Sequence, residues 1–340
     1  MIGSRTSEMF CTTARKDGKV ISLTDSGILI QYSDGETKGV NLGRQFGKAE
    51  GSIYPHDIVT KMKLNQSFKK GAVIAYNTGF FEEDFLDSSQ VVMKLGIVAK
   101  CALYEGSQTF EDSSTISNKV SKLLTAKTTK VKSITVNFKQ NLIDVVEVGK
   151  KVGPKDILMI IEDEITASGQ FNEASLKTLK KLSNQAPKAG YEGTIDKIEV
   201  LYNGDKADMT PSLKKLADRS DKVIIDNCKS TGKPVFNGAV TEDYRISGVP
   251  LTIDKAEIKI YLTIETKSAV GDKSVFANQM KSVIGEVMNY KMTTEDGEEI
   301  DAVFGYRSIL NRVVNSPFIL GTSITLLKLI GKNAVKIYRG

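Results

Sequence analysis

The chain has 340 residues, a net charge of +6, 40% hydrophobic residues and 26% charged residues. This composition supports packed cores in roughly two or three domains and excludes disorder as the default state. The mildly basic charge is compatible with a polyanionic partner without requiring one.

The three cysteines, Cys11, Cys101 and Cys228, lie far apart and form no CxxC pair. Their spacing argues against a zinc site or a disulfide framework and fits a reducing cytoplasm. The first residues contain no apolar core of signal-peptide length. No uninterrupted apolar run approaches the roughly 18 residues of a membrane span. We therefore expect a soluble, intracellular protein without a membrane partner.

The patterns predict short strands over most of the sequence. Residues 19–32 carry two β-rich runs around Asp25-Ser26-Gly27, which predicts a hairpin. Residues 61–76 and 145–160 share one pattern, in which an apolar strand, a polar turn and a second apolar strand follow each other. This pattern is typical of small β-barrel hairpins.

The single histidine, His56, lies in Tyr54-Pro55-His56-Asp57, which predicts a turn. One histidine excludes an HExxH metalloprotease and leaves at most one candidate for a Ser-His-Asp site. We expect His56 to have a structural or surface role.

The helical patterns are few. Ala174–Leu182 places leucines on one stripe, and Pro211 to about Cys228 begins with Thr210 as N-cap and a proline at the first helical position. Residues 273–290 have apolar side chains at helical spacing. The apolar stretch Ile319–Leu329 predicts a buried segment.

One long strand and one insertion are also predicted. Residues 256–265 alternate, with Ile258, Ile260, Leu262 and Ile264 on one face, which indicates a half-buried strand. The composition changes near residues 148 and 255, so residues 148–254 are interpreted as an inserted domain.

Charged side chains suited to chemistry occur in three places. Adjacent carboxylates at Glu111 and Asp112 would point to opposite faces of a strand, and a carboxylate near a triphosphate acts through a metal ion or a water. Lys273 follows a Gly-Asp turn, and with Lys281 it suits successive phosphates. Arg312 lies in an apolar stretch downstream of Asp301, and an arginine in such surroundings needs an anionic partner. That partner is either a protein carboxylate or a nucleic-acid phosphate.

Taken in order, these segments resemble the signature blocks of the β subunit of multisubunit DNA-dependent RNA polymerases. Residues 106–114 stand where the family has Gly-Tyr-Asn-Phe-Glu-Asp-Ser/Ala-Ile, and residues 270–273 match its Val-Gly-Asp-Lys. Residues 279–284 stand in place of its Gly-Asn-Lys-Gly-Val-Ile. Residues 301–303 and 309–313 keep the spacing of its last two blocks. The resemblance covers nearly the whole chain and corresponds to the C-terminal half of that subunit.

The resemblance implies a fold and a set of roles. The fold would be mixed α/β and mostly β, with a double-psi β-barrel from residues 1–147 and 255–340. Residues 148–254 would form an inserted β-rich flap, or wall. Lys273 and Lys281 would contact phosphates at the RNA 3′ end, and Glu111 and Asp112 would lie near the incoming nucleotide and a second metal. Arg312 would hold nucleotide phosphates or the RNA–DNA hybrid.

The resemblance also implies a nucleotidyltransferase subunit that is inactive alone. Mg²⁺ would be ligated mainly by the Asp-rich loop of a β′ subunit. The other partners would be an N-terminal β half, a promoter-specificity factor, template DNA, nascent RNA and nucleoside triphosphates. Such splitting resembles the polymerases of giant bacteriophages, which implies the cytoplasm of an infected bacterium or a virion as the location.

The chain departs from the family pattern at several positions. Ala277, Asn278 and Gln279 replace the family's Arg-His-Gly, and Ser282 replaces the glycine after the second lysine. The family's long C-terminal clamp block has no match after Arg312. Two other functions stay open: a non-enzymatic, β-rich phage structural or nucleic-acid-binding protein, and a hydrolase that uses Glu111 or Asp112.

Overall fold

A computed structural model of the chain describes residues 10–84, 87–94, 96–162, 186–277, 279–312 and 315–339. Strands make up 41% and helices 20%, which confirms the predicted mixed, mostly β class. The predicted helix Ala174–Leu182 lies outside the described residues.

The described elements follow one another in chain order. The strands are β1 (Cys11–Thr13), β2 (Gly18–Leu23), β3 (Gly27–Tyr32), β4 (Thr37–Asn41), β5 (Gly43–Ala49), β6 (Ser52–Val59), β7 (Ser67–Phe68), β8 (Val73–Asn77), β9 (Phe81–Glu83), β10 (Val91–Met93), β11 (Cys101–Leu103), β12 (Ser113–Ser117), β13 (Ala126–Asn137), β14 (Asn141–Ile143), β15 (Lys151–Val152), β16 (Ile160–Glu162), β17 (Gly193–Asn203), β18 (Arg245–Ile246), β19 (Val249–Pro250), β20 (Lys255–Thr266), β21 (Lys273–Phe276), β22 (Met280–Met288) and β23 (Ala302–Phe304). The helices are α1 (Asn118–Leu123), the 3₁₀ helix Lys206–Asp208, α2 (Pro211–Ser230), α3 (Tyr306–Arg312) and α4 (Ser316–Arg339).

The chain divides into two compact units. The large unit comprises Met1–Leu95 and Lys127–Glu265, and the small unit comprises Gly96–Ala126 and Thr266–Gly340. The described elements of residues 148–254 belong to the large unit. The boundaries between the two units therefore do not coincide with the predicted boundaries of the insertion. The assignment of residues 148–254 as a flap stays a prediction.

The large unit is built on an eight-stranded sheet. Its strand order is β1-β8-β6-β13-β20-β17-β15, and β5 pairs with β6. Strand β20 pairs antiparallel with β17 along most of its length and buries Ile258, Ile260 and Leu262, so the predicted alternating strand is confirmed. Helix α2 contacts β17 and β14, and Leu213 joins the same core.

Helix α2 begins where the sequence predicted, with Pro211 in its first turn. The Thr210 side chain makes no capping hydrogen bond; its hydroxyl donates instead to the carbonyl of Gln140 at 2.8 Å. The helix start is therefore fixed by the proline and by a tertiary contact.

A second sheet of the large unit has the order β4-β3-β2-β7. Strands β2 and β3 pair antiparallel, as the hairpin prediction for residues 19–32 required. In residues 67–77, β7 pairs with β2, whereas β8 pairs with β1 and β6. A polar turn connects β7 to β8 as predicted, but the two strands belong to different sheets and do not form a hairpin.

The turn predicted around His56 is wrong. Tyr54 to Asp57 lie inside β6 and pair antiparallel with β5. In this register Phe46 of β5 lies opposite Pro55 of β6. Strand pairing outweighs the local turn preference of the Tyr-Pro dipeptide, because the ladder satisfies the backbone of the whole segment. His56 is buried, and its Nδ1 lies 2.8 Å from the side-chain nitrogen of Asn77, consistent with the expected structural role.

The small unit contains a five-stranded sheet with the order β11-β23-β12-β22-β21. Strands β12 and β22 are parallel, as are β11 and β23, whereas β12–β23 and β21–β22 are antiparallel. Among the described residues the strand order of this sheet does not close on itself. Parallel pairs bring together segments that are remote in sequence, such as residues 113–117 and 283–288.

Helix α4 contradicts the prediction of a buried stretch at Ile319–Leu329. None of the residues described in this helix is buried. By length and composition α4 qualifies as a candidate membrane span. The apolar side chains of α4 are therefore not buried against any other segment in the described part of the chain.

Candidate functional site

The predicted helix at residues 273–290 is wrong; the segment forms the antiparallel hairpin of β21 and β22. Along β22 burial alternates, with Met280, Ser282 and Ile284 inward and Lys281 outward. Ser282 hides the alternation in the sequence, because it is polar yet buried, and its hydroxyl donates to Ser114 Oγ at 2.8 Å. Val275 and Val283 lie on the exposed face of the hairpin. Together with the buried apolar residues they produce the helical spacing that led to the wrong prediction.

The hairpin places Lys273 and Lys281 on the same exposed face. Lys273 pairs with Val283, and Val275 pairs with Lys281, so the two lysines are diagonal neighbours across adjacent strands. Diagonal positions lie about 7–8 Å apart, within reach of long side chains. Neither ammonium forms an ion pair with another described residue. Two unpaired cations therefore share a small surface, which we call the lysine face.

The predicted tight turn before Lys273 is present. Gly271 has a φ of 93°, a conformation that favours glycine. The Asp272 carboxylate accepts from the backbone N–H of Ala269 at 2.9 Å and from the hydroxyl of Ser268 at 3.3 Å. Asp272 therefore fixes the entry into β21.

Arg312 connects the lysine face to the acidic loop. Its guanidinium donates to the carbonyl of Gln279 at 2.8 Å, to the carbonyl of Lys281 at 2.9 Å and to the Asp112 carboxylate. The arginine side chain is 24% exposed and that of Asp112 is 64% exposed. The anionic partner of Arg312 in this structure is thus a protein carboxylate, and the guanidinium holds three segments together.

The loop that carries Glu111 and Asp112 is fastened by backbone and side-chain contacts. The Val283 N–H donates to the Asp112 carbonyl at 2.9 Å, and the Ser308 hydroxyl donates to the Glu111 carbonyl. Glu111 has a φ of 53°, so the acid pair lies on a tight bend just before β12 and not on a regular strand. Gly285 permits the approach, because a Cβ there would lie 2.4 Å from Ser113 Oγ.

Asp301 belongs to a different cluster from Arg312. It is buried, and its carboxylate accepts from Lys119 Nζ at 2.9 Å and from the Lys100 N–H at 3.0 Å. Burial pushes the pKa of Asp301 upward, but these hydrogen bonds and the Lys119 charge outweigh it and hold the pKa below its usual value. The same contact raises the pKa of Lys119.

The site offers little to hold a metal. Within the described ranges, no group of three or more His, Cys, Asp and Glu side chains is arranged to hold an ion. Asp112 is a single exposed carboxylate already paired with a guanidinium, which does not suffice as a Mg²⁺ site. Ligation of Mg²⁺ by a partner stays a prediction.

The structure brings together four of the five predicted site residues through direct contacts or adjacent strand positions: Asp112, Lys273, Lys281 and Arg312. The backbone carbonyl of Glu111 accepts from the hydroxyl of Ser308, which lies in the same helix as Arg312. Sequence reasoning missed two supporting residues, Ser308 and Glu105; the Glu105 carboxylate accepts from the Arg307 N–H at 2.6 Å. Each of these side chains bonds to a backbone atom of a segment that is remote in sequence. The local sequence pattern therefore contains no signal that predicts either contact.

No known protein-family model matches the chain, and no curated protein matches it.

Proposed function

We propose that the chain is the C-terminal half of the β subunit of a multisubunit DNA-dependent RNA polymerase, made as a separate polypeptide as in giant bacteriophages. The observation that carries the proposal is the meeting of Asp112, Lys281 and Arg312, with Lys273 on the adjacent strand. These residues come from three distant segments that the sequence resemblance had singled out independently.

The chemistry of phosphoryl transfer suits this arrangement. The reaction needs positioning and charge neutralisation more than covalent help from the protein. The ammonium groups of Lys273 and Lys281 would bind phosphate oxygens near the RNA 3′ end. Arg312 would set their position by holding the backbone carbonyl of Lys281, and Asp112 would present a carboxylate toward the incoming nucleotide. The metal would come from the partner.

The fold is part of the proposal. The resemblance implied a double-psi β-barrel from residues 1–147 and 255–340. Within these ranges we assign it to the sheet of the small unit, because this sheet mixes parallel and antiparallel pairs between remote segments. Its completion would require further strands or the partner's barrel. Residues 148–254 would act as the flap.

A reconstituted polymerase tests the two lysines. The variant with both Lys273→Ala and Lys281→Ala should assemble normally and extend RNA about 100-fold more slowly, since each lost cation leaves phosphate charge unneutralised. Lys291→Ala, at an exposed lysine just beyond β22, is the matched control and should extend RNA at the wild-type rate. Extension at the wild-type rate by the double variant would show that Lys273 and Lys281 do not contact phosphates during the reaction.

Affinity purification from expressing cells separates the functional classes. A polymerase subunit should co-purify with β′-like chains that carry an Asp-rich, magnesium-ligating loop. A structural protein should be stable alone or self-assemble, and a hydrolase should act without partners. Recovery of the pure chain with hydrolytic activity would refute the polymerase assignment.

A further inference from the structure

His56, the single histidine of the sequence, accepts a hydrogen bond that requires its neutral form. Its Nδ1 lies 2.8 Å from Nδ2 of Asn77, and both residues are buried in the large unit. An amide nitrogen can only donate, so Nδ1 is the acceptor and carries no proton. The ring proton is therefore on Nε2, and the imidazole is uncharged.

The amide of Asn77 is fixed in this orientation by a second contact. Its Oδ1 accepts from the backbone N–H of Gly79 at 2.9 Å, which leaves the NH2 group for His56. Asn77 is 1% exposed, so water does not readily replace either partner. An amide flip would offer the oxygen to His56 but would turn the NH2 group toward the Gly79 N–H. The contacts of His56 and Gly79 are thus linked through one side chain.

A proton on Nδ1 of His56 would bring two donors face to face. The imidazolium donates from both ring nitrogens and accepts at neither. Either its Nδ1–H faces the NH2 group of Asn77, or the amide flips and the Gly79 N–H faces that group instead. Both arrangements leave a buried donor without an acceptor, which is unfavourable. The geometry of the Asn77 amide therefore opposes protonation of His56.

The uncharged neighbours of the ring come from three other segments. Phe10 and Phe80 have their ring centroids 6.3 and 6.0 Å from that of His56, and their own centroids are 4.7 Å apart. Gln45 lies opposite His56 on β5, and its amide donates to the carbonyl of Leu42 at 2.9 Å. These neighbours enclose the ring, and none of them supplies an anion to an imidazolium.

Asp57 is the acidic neighbour of His56. It follows His56 along β6 and favours its charged form, but the carboxylate is already paired with Arg44, at 2.5 and 3.1 Å. In the turn next to Asn77, Lys94 Nζ donates to the carbonyl of Thr78 at 2.7 Å and adds a positive charge. Burial outweighs the attraction of Asp57 and lowers the pKa of His56.

Asn77 also ties the ring to the β9–β10 hairpin. Its carbonyl accepts from the Phe80 N–H at 3.1 Å, and the Phe80 carbonyl accepts from the Lys94 N–H at 2.8 Å. Phe80 lies directly before β9, and Lys94 lies directly after β10. A series of hydrogen bonds therefore runs from His56 in β6 through Asn77 to both ends of the hairpin.

We propose that His56 and Asn77 form a proton-sensitive lock, in which neutral His56 holds the turn at residues 77–80 and the β9–β10 hairpin against β6, and protonation releases them. The contacts that form this His56 lock lie outside the candidate functional site, so it does not depend on the proposed function. A histidine whose folded-state pKa lies below its unfolded value of about 6.5 contributes stability that is fully present above that value. This contribution is lost as the pH falls through the folded-state pKa, so the lock is closed at neutral pH and opens in acid.

Nuclear magnetic resonance of the full chain tests the state of the ring without any variant. Because the sequence holds one histidine, isotope-labelled histidine gives the signals of His56 alone. At neutral pH the two ring nitrogens should show the Nε2–H tautomer, and the titration midpoint should lie below about 6.5. An Nδ1–H tautomer, or a midpoint at or above about 6.5, would overturn the lock.

Hydrogen exchange read by mass spectrometry tests the release. His56→Asn is the matched variant, because its Oδ1 can accept where Nδ1 stands and does not titrate. Relative to this variant, wild-type protection in residues 77–84 and 87–94 should fall by up to about tenfold per pH unit below pH of about 6.5, since opening takes up one proton. Residues 193–203 of β17 should show no such difference. Equal pH dependence in wild type and variant, or an equal loss in β17, would contradict a local lock.

Asn77→Asp tests the role of the amide. A carboxylate at this position accepts from the Gly79 N–H and from a protonated ring at the same time. The pKa of His56 should therefore rise above about 6.5, and the acid-dependent loss of protection should disappear. A pKa of His56 that stays below about 6.5 in this variant would show that the Asn77 amide does not control protonation, and the lock would be wrong.

Discussion

The large and small units differ in how much of their apolar surface they bury and how many of their charges they pair internally. The large unit buries extended cores along β13, β17 and β20 and in the sheet of β2, β3 and β4. Even its buried Glu257 is paired, accepting from Tyr244 Oη at 2.6 Å and from the Ser133 hydroxyl. The small unit has small apolar clusters, an exposed cationic face and an open apolar helix. The small unit therefore buries less of its apolar surface among its own described residues than the large unit does.

The largest effect should come from the core of the large unit. Ile260 is fully buried in β20, and Ile260→Ala should lower the free energy of unfolding of that unit by about 2–5 kcal/mol through lost burial and a cavity. Val223→Ala, at a side chain 52% exposed on α2, should change it by less than about 0.5 kcal/mol. Hydrogen exchange in urea, read by mass spectrometry, separates the units. Equal loss of protection in the small unit would show that the two units unfold as one.

A smaller effect should follow from Arg312→Lys in the small unit. A lysine cannot reproduce the fork that holds Asp112, Gln279 and Lys281, so we expect a loss of about 1–3 kcal/mol. Faster hydrogen exchange in residues 105–112 would report it. Arg307→Lys, in the same helix, is the control, because Arg307 holds Glu105 through its backbone N–H. Unchanged exchange in Arg312→Lys would mean that the loop is held without the guanidinium.

The smallest effect concerns Asp301 and depends on pH. The folded-state pKa of Asp301 lies below its usual value, so its contribution to stability is present above the unfolded pKa of about 3.9 and is lost as the pH falls through the folded value. Asp301→Asn should therefore destabilise the small unit by about 1–2 kcal/mol at neutral pH, and its difference from wild type should shrink below pH of about 4.

Glu298→Gln is the control for this prediction, because its ion pairs are exposed and contribute little. Urea denaturation at a series of pH values gives both curves. A difference between Asp301→Asn and wild type that stays constant into acid would show that the carboxylate charge does not matter there.

The elements predicted with success depend on local signals. The hairpin at residues 19–32, the long strand at 256–265 and the helix from Pro211 each combine a clear period with clear boundaries. The wrong predictions arose where tertiary contacts outweighed the local sequence pattern. Tyr54-Pro55 lies in a strand because β5 pairs with it, and residues 273–290 form a hairpin whose buried Ser282 hides the alternation.

The sequence by itself determined the mostly β class, the three charged segments and their order along the chain. Only the tertiary structure decided that Arg312 bonds to Asp112 while Asp301 bonds to Lys119, and that α4 is exposed. The physical reason is distance along the chain. Periodicity reports which face of an element is apolar. The partner of a charge is fixed by strand pairing and packing between remote segments, such as those of Asp112 and Arg312, which lie 200 residues apart.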